Sequence, residues 1–512
     1  MNCVKAFIGI AFLLTANSAL ADVKRTLDEE NLPGYLNSFS KGLPHNEWGV
    51  VDKKAYESLL SALHKGNIAA FENVPTGVKD GFGLRNPLAA YAKMMEGGSP
   101  ETFKMPPAPE FSSAWQAAEA TEVMWKALLR DEPFAQYNNN AMAKEAAADL
   151  QKLSEFRGPK IVTPQTKGEI NTQTLFRGIG SGETVGPYIS QFLLKPIPYG
   201  ATTITQRYKV PKPGNDHLTN YSEWLQIQNG GKPSGVTNTT YEADNLYLYS
   251  GRALGEYVLH DFVNMAYLNA ALITGSFGDD AFAASNPYNK TKSQARAPLF
   301  GINHAIDLLS RVSMPSQQVA WYQKWLVHRR ARPEVFFGRI HNHLTENDIT
   351  YPIHEEMLNS KALEEAFKLN GTYLLPQASP KGAPLHPTYP AAHAVMAGAA
   401  VTMLKAFFNG DFVIPDPVMA SADGKQLLPY TGEPLTIESE LNKLASNISL
   451  GRNFAGVHYR TDGDLGLILG EEYAISLLKE LVQNYREDFD GFTFKRFNGA
   501  VVEIHRPANL LK

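Results

Sequence analysis

The sequence predicts a mostly α-helical protein that carries one small β-hairpin near its C terminus. Apolar residues recur at intervals of three to four along several long segments, which is the period of an amphipathic helix. The alternation of apolar and polar residues that is typical of strands is confined to residues 492–504. No segment repeats at a fixed period, so the pattern does not indicate a solenoid or a propeller.

Composition narrows the class of protein further. The chain has 512 residues, of which 44% are hydrophobic and 20% charged, as is typical of a globular protein rather than a disordered one. A formal charge of -4 lacks the basic footprint of a nucleic-acid binder. We therefore expect no nucleic-acid partner, and any anion site must be local.

The first 21 residues have the pattern of a secretory signal peptide. Lys5 supplies a positive charge, residues 6–14 form a short apolar core, and Ala19-Leu20-Ala21 has the small residues of a cleavage site. No other apolar run approaches the roughly 18 residues that a membrane span needs. We therefore expect an exported protein, periplasmic or secreted, without a membrane span. The single cysteine, Cys3, lies in this segment, so the processed chain would contain no thiol.

The helices are predicted from caps, periodicity and prolines. Residues 22–110 are interrupted by Gly and Pro and should form short helices and loops wrapped over a larger body. A first long helix is expected at residues 114–131, behind the Ser113 cap. Further helices are predicted at about residues 243–273, 312–332, 390–408, 437–450 and 464–482. Pro333 should end the helix at 312–332, because proline cannot continue the hydrogen-bond ladder. Asn498-Gly499 should turn the C-terminal hairpin.

The irregular stretch at residues 278–297 is the expected domain boundary. Residues 22–277 would then hold the N-terminal wrap and a first helical bundle. Residues 278–512 would form a catalytic helical bundle with a pocket suited to an oxyanion.

Three clusters of polar residues predict that pocket. In the first, Lys324 and Arg332 are eight residues apart, so at the end of one helix both can lean toward the same side. A basic face exposed to solvent would give the same pattern, because His328, Arg329 and Arg330 lie between them.

The second cluster, HPTYPAAH, spans residues 386–393 and precedes an apolar helix. Pro390 presets the backbone at the helix start, so the N–H groups of residues 391–393 should point outward at the positive end of the helix dipole. An oxyanion binds at such an end. His393 can donate to that anion, and His386 can approach it from another side. Two loop histidines without a catalytic role would show the same pattern.

The third cluster, GRNFAGVHYRTD, spans residues 451–462. Arg452 and His458 cannot face one site from a continuous helix, so we expect Gly456 to end the helix between them. Asp462 follows His458 by four residues, which on a helix lets its carboxylate hold the second ring nitrogen. An exposed histidine and aspartate would have the same spacing.

Together the clusters predict a pocket for a tetrahedral or trigonal-bipyramidal oxyanion. Lys324, Arg332 and Arg452 supply cations, and the turn at residues 391–393 supplies N–H donors. His458 supplies a ligand or a nucleophile.

The segments KWLVHRRARP, HPTYPAAH and GRNFAGVHYRTD, in this order, resemble those of the vanadium-dependent haloperoxidases, in particular the algal-type bromoperoxidases. The resemblance extends to GLPHNEWG, MPPAPEFSSA, VGPYISQFLL and EWLQIQNG, so it covers most of the chain. Type 2 phosphatidic acid phosphatases and bacterial acid phosphatases share related motifs. The resemblance implies an all-α fold with two four-helix bundles, a vanadate cofactor and a homo-oligomer, dimeric or larger.

The resemblance also implies a role for each matching residue. The residues that would surround vanadate are Lys324, Arg332, Ala391, Ala392, His393, Arg452 and His458. His458 would bind the vanadium through a ring nitrogen. The catalytic residues would be His393 as acid and base, His386 in positioning peroxide and halide, and Lys324 in polarising peroxide. Trp321 and Asp462 would support these groups from behind.

This chain departs from the family pattern at one point. The Ser-Gly that usually precedes the histidine is replaced by Ala391-Ala392. Loss of the serine hydroxyl removes a donor worth roughly 1–3 kcal/mol to a charged partner. We therefore expect weaker vanadate binding or slower turnover.

The implied activity is the oxidation of bromide or iodide by hydrogen peroxide to hypohalous acid, which halogenates small organic acceptors. A histidine at position 386 agrees with the family trend toward bromide and iodide rather than chloride. Two alternatives remain: an acid phosphatase that uses His458 as its nucleophile, and an oxyanion-binding protein without turnover.

Overall fold

The computed structural model describes residues 23, 25–94, 96–163, 166–233 and 239–506. The predicted signal peptide, with Cys3, lies outside these residues. Within them the chain is mostly helical with a few short strands, which confirms the predicted fold class. The helices in this part of the chain are too short or too polar to cross a bilayer.

The helices are numbered in chain order. They are α1 (Leu27–Asn31), α2 (Lys53–Lys65), α3 (Ile68–Glu72), α4 (Ala114–Leu128), α5 (Ala141–Lys152), α6 (Tyr221–Gln228), α7 (Gly251–His260), α8 (Met265–Gly275), α9 (Ile302–Tyr322), α10 (Pro333–Thr345), α11 (Glu355–Leu358), α12 (Lys361–Asn370), α13 (Ala392–Phe407), α14 (Ile437–Phe454) and α15 (Arg460–Leu481).

The strands pair as short antiparallel ladders, each joining two consecutive strands. They are β1 (Ile161–Thr163) with β2 (Thr166–Glu169), β3 (Ile197–Tyr199) with β4 (Thr202–Ile204), β5 (Val418–Ala420) with β6 (Leu427–Pro429), and β7 (Gly491–Lys495) with β8 (Val501–His505). The β7–β8 hairpin confirms the C-terminal prediction. The other strands are too short to show an alternating pattern in the sequence.

Helix α13 lies at the centre of one bundle. It packs against α9, α14 and α15, and α15 also contacts α9 and α14. Its sequence is apolar on all sides, and its residues are buried except for the half-buried His393. Gly398 and Gly470 let α13 and α15 approach closely, since an added Cβ would lie 2.0 Å from the Leu467 carbonyl oxygen or 1.9 Å from that of Val395. This close contact fixes the N-terminal ends of the two helices relative to each other.

A second group of helices surrounds α4, which packs against α5, α11 and α12. The group combines helices from both sides of residue 278. The stretch at residues 278–297 is irregular, with only short 3₁₀ turns. The domain boundary at residue 278 stays a prediction.

The N-terminal segment forms an apolar cluster of its own. Tyr56 and Leu59 of α2 pack there with Trp325, Leu326 and Leu385 from the C-terminal half. The wrap therefore supports two segments that, as shown below, carry site residues.

The predicted helix at residues 243–273 is wrong in its start and its continuity. Residues 243–250 are not helical, because Leu246 exchanges backbone hydrogen bonds of 2.7 and 2.8 Å with Tyr208. Ser250 then caps α7. The chain leaves the helical path at residues 261–264 before α8 begins. This break places Asp261 at the site described below.

The predicted helix at residues 312–332 is also corrected. Helix α9 begins ten residues earlier and passes through Pro315, and a π-helical turn follows at Gln323–His328. Arg329 adopts a left-handed conformation with φ of 40° and ends the helical path. Pro333 does not end this helix but begins α10, because proline suits the first helical position. Lys324 therefore lies in the π turn and Arg332 at the N-cap of α10.

The remaining long helices are confirmed with small shifts at their ends. The Ser113 hydroxyl caps α4 by accepting from the Gln116 N–H at 3.1 Å. The predictions at 390–408, 437–450 and 464–482 correspond to α13, α14 and α15.

Candidate active site

A cavity of ≈ 200 Å³ lies where α13 begins. Its walls come from the break between α7 and α8, the end of α9, the loop before α13 and the junction of α14 and α15. The lining residues are Asp261, Val263, Tyr267, Gln317, Trp321, Pro384, His386, Ala392, His393, Met396, Arg452 and His458. A larger cavity of ≈ 550 Å³ beside Phe134 and Tyr188 contains none of the predicted site residues.

The structure brings the predicted site residues together. Those that line the cavity are Trp321, His386, Ala392, His393, Arg452 and His458. Lys324, Arg332, Ala391 and Asp462 are fully buried around it. Trp321 was expected behind the catalytic groups but forms part of the cavity wall.

The chain turns sharply between Arg452 and His458, as predicted. Gly456 has φ of 81°, and its N–H donates to the Asn453 carbonyl at 2.9 Å. The Val457 N–H donates to the Arg452 carbonyl at 3.1 Å, which completes a Schellman motif. This turn lets Arg452 close α14 while His458, two residues before α15, faces the same cavity.

Asp462 holds the His458 ring, but not through the helical spacing that we expected. His458 precedes α15, and Asp462 lies in its first turn, where one carboxylate oxygen accepts from the Tyr459 N–H at 2.9 Å. The same oxygen lies 3.0 Å from Nδ1 of His458. The contact therefore arises from the cap of α15, because the capping carboxylate points back along the chain.

Two residues that the sequence did not single out complete this arrangement. The Thr388 hydroxyl donates to Asp462 at 2.5 Å and lies 3.0 Å from Nδ1 of His458. Arg330 donates to the other oxygen of Asp462 at 3.1 Å. Both are distant in sequence from Asp462, so no local pattern could have identified them.

The His458 ring is held in its neutral form. Burial, followed by the nearby charges of Arg332 and Lys324, lowers its pKa well below the usual value. With Nδ1–H directed at Asp462, Nε2 carries the lone pair on the other side of the ring. Nε2 lies 2.9 Å from the Arg332 guanidinium, so the ring nitrogen and the cation share one location.

Three buried cations meet here, and no carboxylate of the described residues contacts them directly. Burial lowers the pKa of Arg332 to about 9, assisted by Arg452, and that of Arg452 to about 10. Burial and the charge of Arg332 lower the pKa of Lys324 well below its ordinary value. Such a cluster is unfavourable unless an anion joins it.

The cations are anchored to backbone oxygens. Lys324 donates to the carbonyls of Pro387 and Thr388 at 2.7 and 2.8 Å. Because its ammonium group has three N–H donors, one of them is left for a ligand. Arg332 donates to those of His386 and Val457 at 3.0 and 2.8 Å.

Arg452 provides the test of whether an oxyanion such as vanadate fits. It donates to the Val258 carbonyl at 2.6 Å, yet its buried Nε–H has no hydrogen-bond partner among the described residues. The N–H groups of Ala392 and His393, in the first turn of α13, precede the first intrahelical bond. The Ala391 N–H is not free as predicted, because it donates to the Asp462 carbonyl at 2.8 Å. An orphaned donor, two helix N–H groups and unpaired cations fit an oxyanion.

The other two histidines of the cavity, His393 and His386, differ in their partners. Nε2 of His393 lies 3.1 Å from the carboxylate of Asp261, another residue that the sequence did not identify. His386 packs against Trp321 with ring centroids 4.9 Å apart, and both of its ring nitrogens lie near Arg332. Burial, then Arg332 and Lys324, lowers the pKa of His386 well below the usual value. His393 is thus tied to a carboxylate, whereas His386 is held as a neutral ring.

Known proteins resemble this chain over nearly its whole length. A vanadium-dependent bromoperoxidase of Ascophyllum nodosum is 34% identical over 511 residues, covering 95% of this chain and 91% of the relative. One of Corallina officinalis is 31% identical and covers 94% of this chain and 93% of the relative. The chain belongs to the vanadium-dependent bromoperoxidase family. The haloperoxidase resemblance of the three clusters is thereby confirmed.

Structural comparison agrees with membership of the vanadium-dependent bromoperoxidase family. The homohexameric vanadate-dependent bromoperoxidase of Ascophyllum nodosum superimposes with a TM-score of 0.88 at 31% identity, covering 94% of this chain and 86% of that chain. The family model described as the VCPO second helical-bundle domain matches residues 309–487. That range contains every site residue predicted from the sequence.

Proposed function

We propose that this protein is a vanadate-dependent peroxidase that oxidises bromide or iodide with hydrogen peroxide to hypohalous acid, which then halogenates small organic acceptors. The observation that carries the proposal is that three buried cations lie around one cavity with the neutral His458 ring. No carboxylate of the described residues contacts these cations directly. Membership of the bromoperoxidase family favours this reaction over phosphate-ester hydrolysis.

Different residues of the cavity would bind the metal and the oxygens of vanadate. Nε2 of His458 would hold the metal, because Asp462 occupies the other side of the ring. Lys324, Arg332 and Arg452 would neutralise the oxygens, together with the N–H groups at the start of α13. When bound, vanadate supplies a Lewis acid that activates peroxide without a change in its own oxidation state.

Proton transfer is assigned to His393. Its Nε2 contacts Asp261 at 3.1 Å, which orients the ring and leaves Nδ1 to exchange a proton with peroxide or water. The side chain is 33% exposed, so protons can pass between the cavity and solvent. His393 thus acts as the acid and base.

The halide and peroxide are assigned to the side of the cavity that His386 and Trp321 form. The neutral His386 ring can donate or accept one hydrogen bond but carries no charge to trap halide. Lys324, behind the loop that carries His386, adds a positive field that favours anion entry. Bromide and iodide are the expected substrates, since they are easier to oxidise than chloride.

The first test is to load the purified protein with orthovanadate and follow bromination of phenol red with bromide and peroxide. We expect bromination that requires vanadate, bromide and peroxide together. Cleavage of phosphate esters, inhibited by vanadate and without bromination, would contradict the proposal and favour the phosphatase. Tight vanadate binding without either activity would indicate an oxyanion-binding protein.

The second test removes the proposed ligand. His458→Ala should abolish bromination and lose bound vanadium, measured by metal analysis after gel filtration. His505→Ala, whose side chain is 69% exposed, is the control and should retain both. Vanadium retained by His458→Ala would show that the ligand is assigned to the wrong residue.

We also infer that the chain assembles as a homo-oligomer and is exported. The solved relative named above is described as a homohexamer, and sedimentation of the purified protein would give the number of subunits here. The leader-like residues 1–21 support export to the periplasm or the medium. The mass of the intact protein recovered from outside the cytoplasm should correspond to cleavage after Ala21.

A further inference from the structure

A methionine lies on the wall of the proposed reaction cavity. Met396 follows His393 by three residues on α13, so the two side chains share a helix face, and both line the cavity. Among the described lining residues, Met396 carries the only sulfur. The residue is 3% exposed, so its access to bulk solvent is small.

The sulfur of Met396 is held in place from behind. The Ser316 hydroxyl on α9 lies 3.3 Å from Sδ and also 3.0 Å from the Ser313 carbonyl oxygen. Ser316 is fully buried, so water does not compete for this contact.

We propose that Met396 is a site of self-oxidation, at which hypohalous acid formed in the cavity converts the thioether to a sulfoxide and thereby slows later turnover. This inference rests on the proposed function, which supplies the oxidant. The sulfur attacks bromine of hypobromous acid and releases hydroxide. Water then forms the S–O bond as bromide leaves, with loss of two protons. Sulfur loses two electrons, and bromine gains them in passing to bromide.

Met314 provides a matched comparison. It lies on α9 and is 57% exposed, so it samples oxidant in bulk solvent. Oxidant added from outside should therefore reach Met314 before Met396. Oxidant made inside the cavity should reach Met396 first. The ratio of the two sulfoxides consequently reports where the oxidant was formed.

The experiment measures both sulfoxides by peptide mass spectrometry in the vanadate-loaded protein. One sample turns over with bromide and peroxide in the presence of excess free methionine, which captures released oxidant. A second receives hypobromous acid directly, and a third receives peroxide without bromide. We expect Met396 sulfoxide to exceed Met314 sulfoxide in the first sample, the reverse in the second, and little of either in the third.

Each other result overturns the inference. If Met314 leads in the turnover sample, the oxidant acts from bulk solvent. If Met396 oxidises equally without bromide, peroxide rather than hypohalous acid is the oxidant. A protein that brominates phenol red but keeps Met396 intact contradicts this inference alone, whereas a protein that does not brominate contradicts the proposed function as well.

Two variants test the consequence for turnover. Met396→Leu conserves side-chain volume and cannot form a sulfoxide, and Met314→Leu is the surface control. Each is compared with its own initial rate after the same number of turnovers. Met396→Leu should keep a larger fraction of its rate than the wild type, and Met314→Leu should lose activity as the wild type does. Equal fractional losses in all three would overturn the proposal that this sulfoxide limits turnover.

Discussion

Two groups of buried cations lie side by side in this protein, and they differ in whether a carboxylate meets them. Arg329 forms two hydrogen bonds with Glu29, of 2.7 and 2.8 Å, and Arg330 contacts both Glu119 and Asp462. The second group, Lys324, Arg332 and Arg452, instead contacts backbone oxygens and histidine rings.

The pKa values of the arginines in the two groups shift in opposite directions. Burial alone would lower every pKa, but the carboxylate partners raise the pKa values of Arg329 and Arg330 above the ordinary arginine value. Without such partners the pKa of Arg332 falls to about 9. The carboxylates therefore compensate the buried charges of the first group, whereas the second group costs stability that a bound anion would offset. The difference separates structural charge from charge held ready for a ligand.

The largest expected effect comes from breaking the first group. Arg330→Met would leave Glu119 and Asp462 buried without their cation, and we expect a loss of about 3–5 kcal/mol in the free energy of unfolding. Urea denaturation of the vanadate-free protein measures it. The variant should also release the carboxylate that orients His458 and so weaken vanadate binding.

Arg311→Met is the control for this loss. Arg311 also has two carboxylate partners, Asp307 and Glu96, but its side chain is 36% exposed. Exposed pairs contribute about 0–1 kcal/mol, so this variant should unfold nearly as the wild type does. Equal losses in the two variants would show that burial does not distinguish the first group.

The second prediction removes a cation of the second group. Arg452→Met loses one hydrogen bond to the Val258 carbonyl, which destabilises the fold, but it also removes an uncompensated buried charge, which stabilises it. The free energy of unfolding of the vanadate-free protein should therefore remain close to that of the wild type. Vanadate affinity should fall by about 1.5–3 kcal/mol, the value of a hydrogen bond to a charged group. The measurement is the rise in unfolding temperature that increasing orthovanadate produces.

The Arg330→Met and Arg452→Met variants should behave in opposite ways. Arg330→Met mainly changes stability without ligand, and Arg452→Met mainly changes the response to ligand. If Arg452→Met unfolds as easily as Arg330→Met and still responds fully to vanadate, the two groups are not distinct.

The sequence predicted the fold class and the site residues better than it predicted their geometry. Periodicity identified α13, α14 and α15 because their apolar residues recur over long segments. Periodicity predicted one helix where the structure has α7 and α8. The chain departs from the helical path between them, and Asp261 there contacts His393, which is 132 residues away in sequence. Local pattern contains no information on such a contact.

The same limit applies to the first cluster. The spacing of Lys324 and Arg332 suggested one helix end, whereas a π turn and the N-cap of α10 bring both to the site. The alternative of an exposed basic face failed because Arg329 and Arg330 find carboxylates from Glu29 and Glu119, far away in the chain. Residue type predicted the chemistry, and tertiary contacts decided which cations remained available to a ligand.

The smallest expected effect concerns Ala391, where the family pattern has serine. Ala391 is the N-cap of α13, and its side chain supplies no hydrogen bond there. Ala391→Ser should tighten vanadate binding by about 1 kcal/mol, because its hydroxyl can donate to the oxyanion at the helix start. Isothermal titration with orthovanadate measures the change. Ala391→Gly alters the same position without adding a donor and should leave the affinity nearly unchanged. Equal affinities of the serine and glycine variants would mean that the cations of the second group already satisfy the anion, so that the absence of a hydroxyl at this position costs the site nothing.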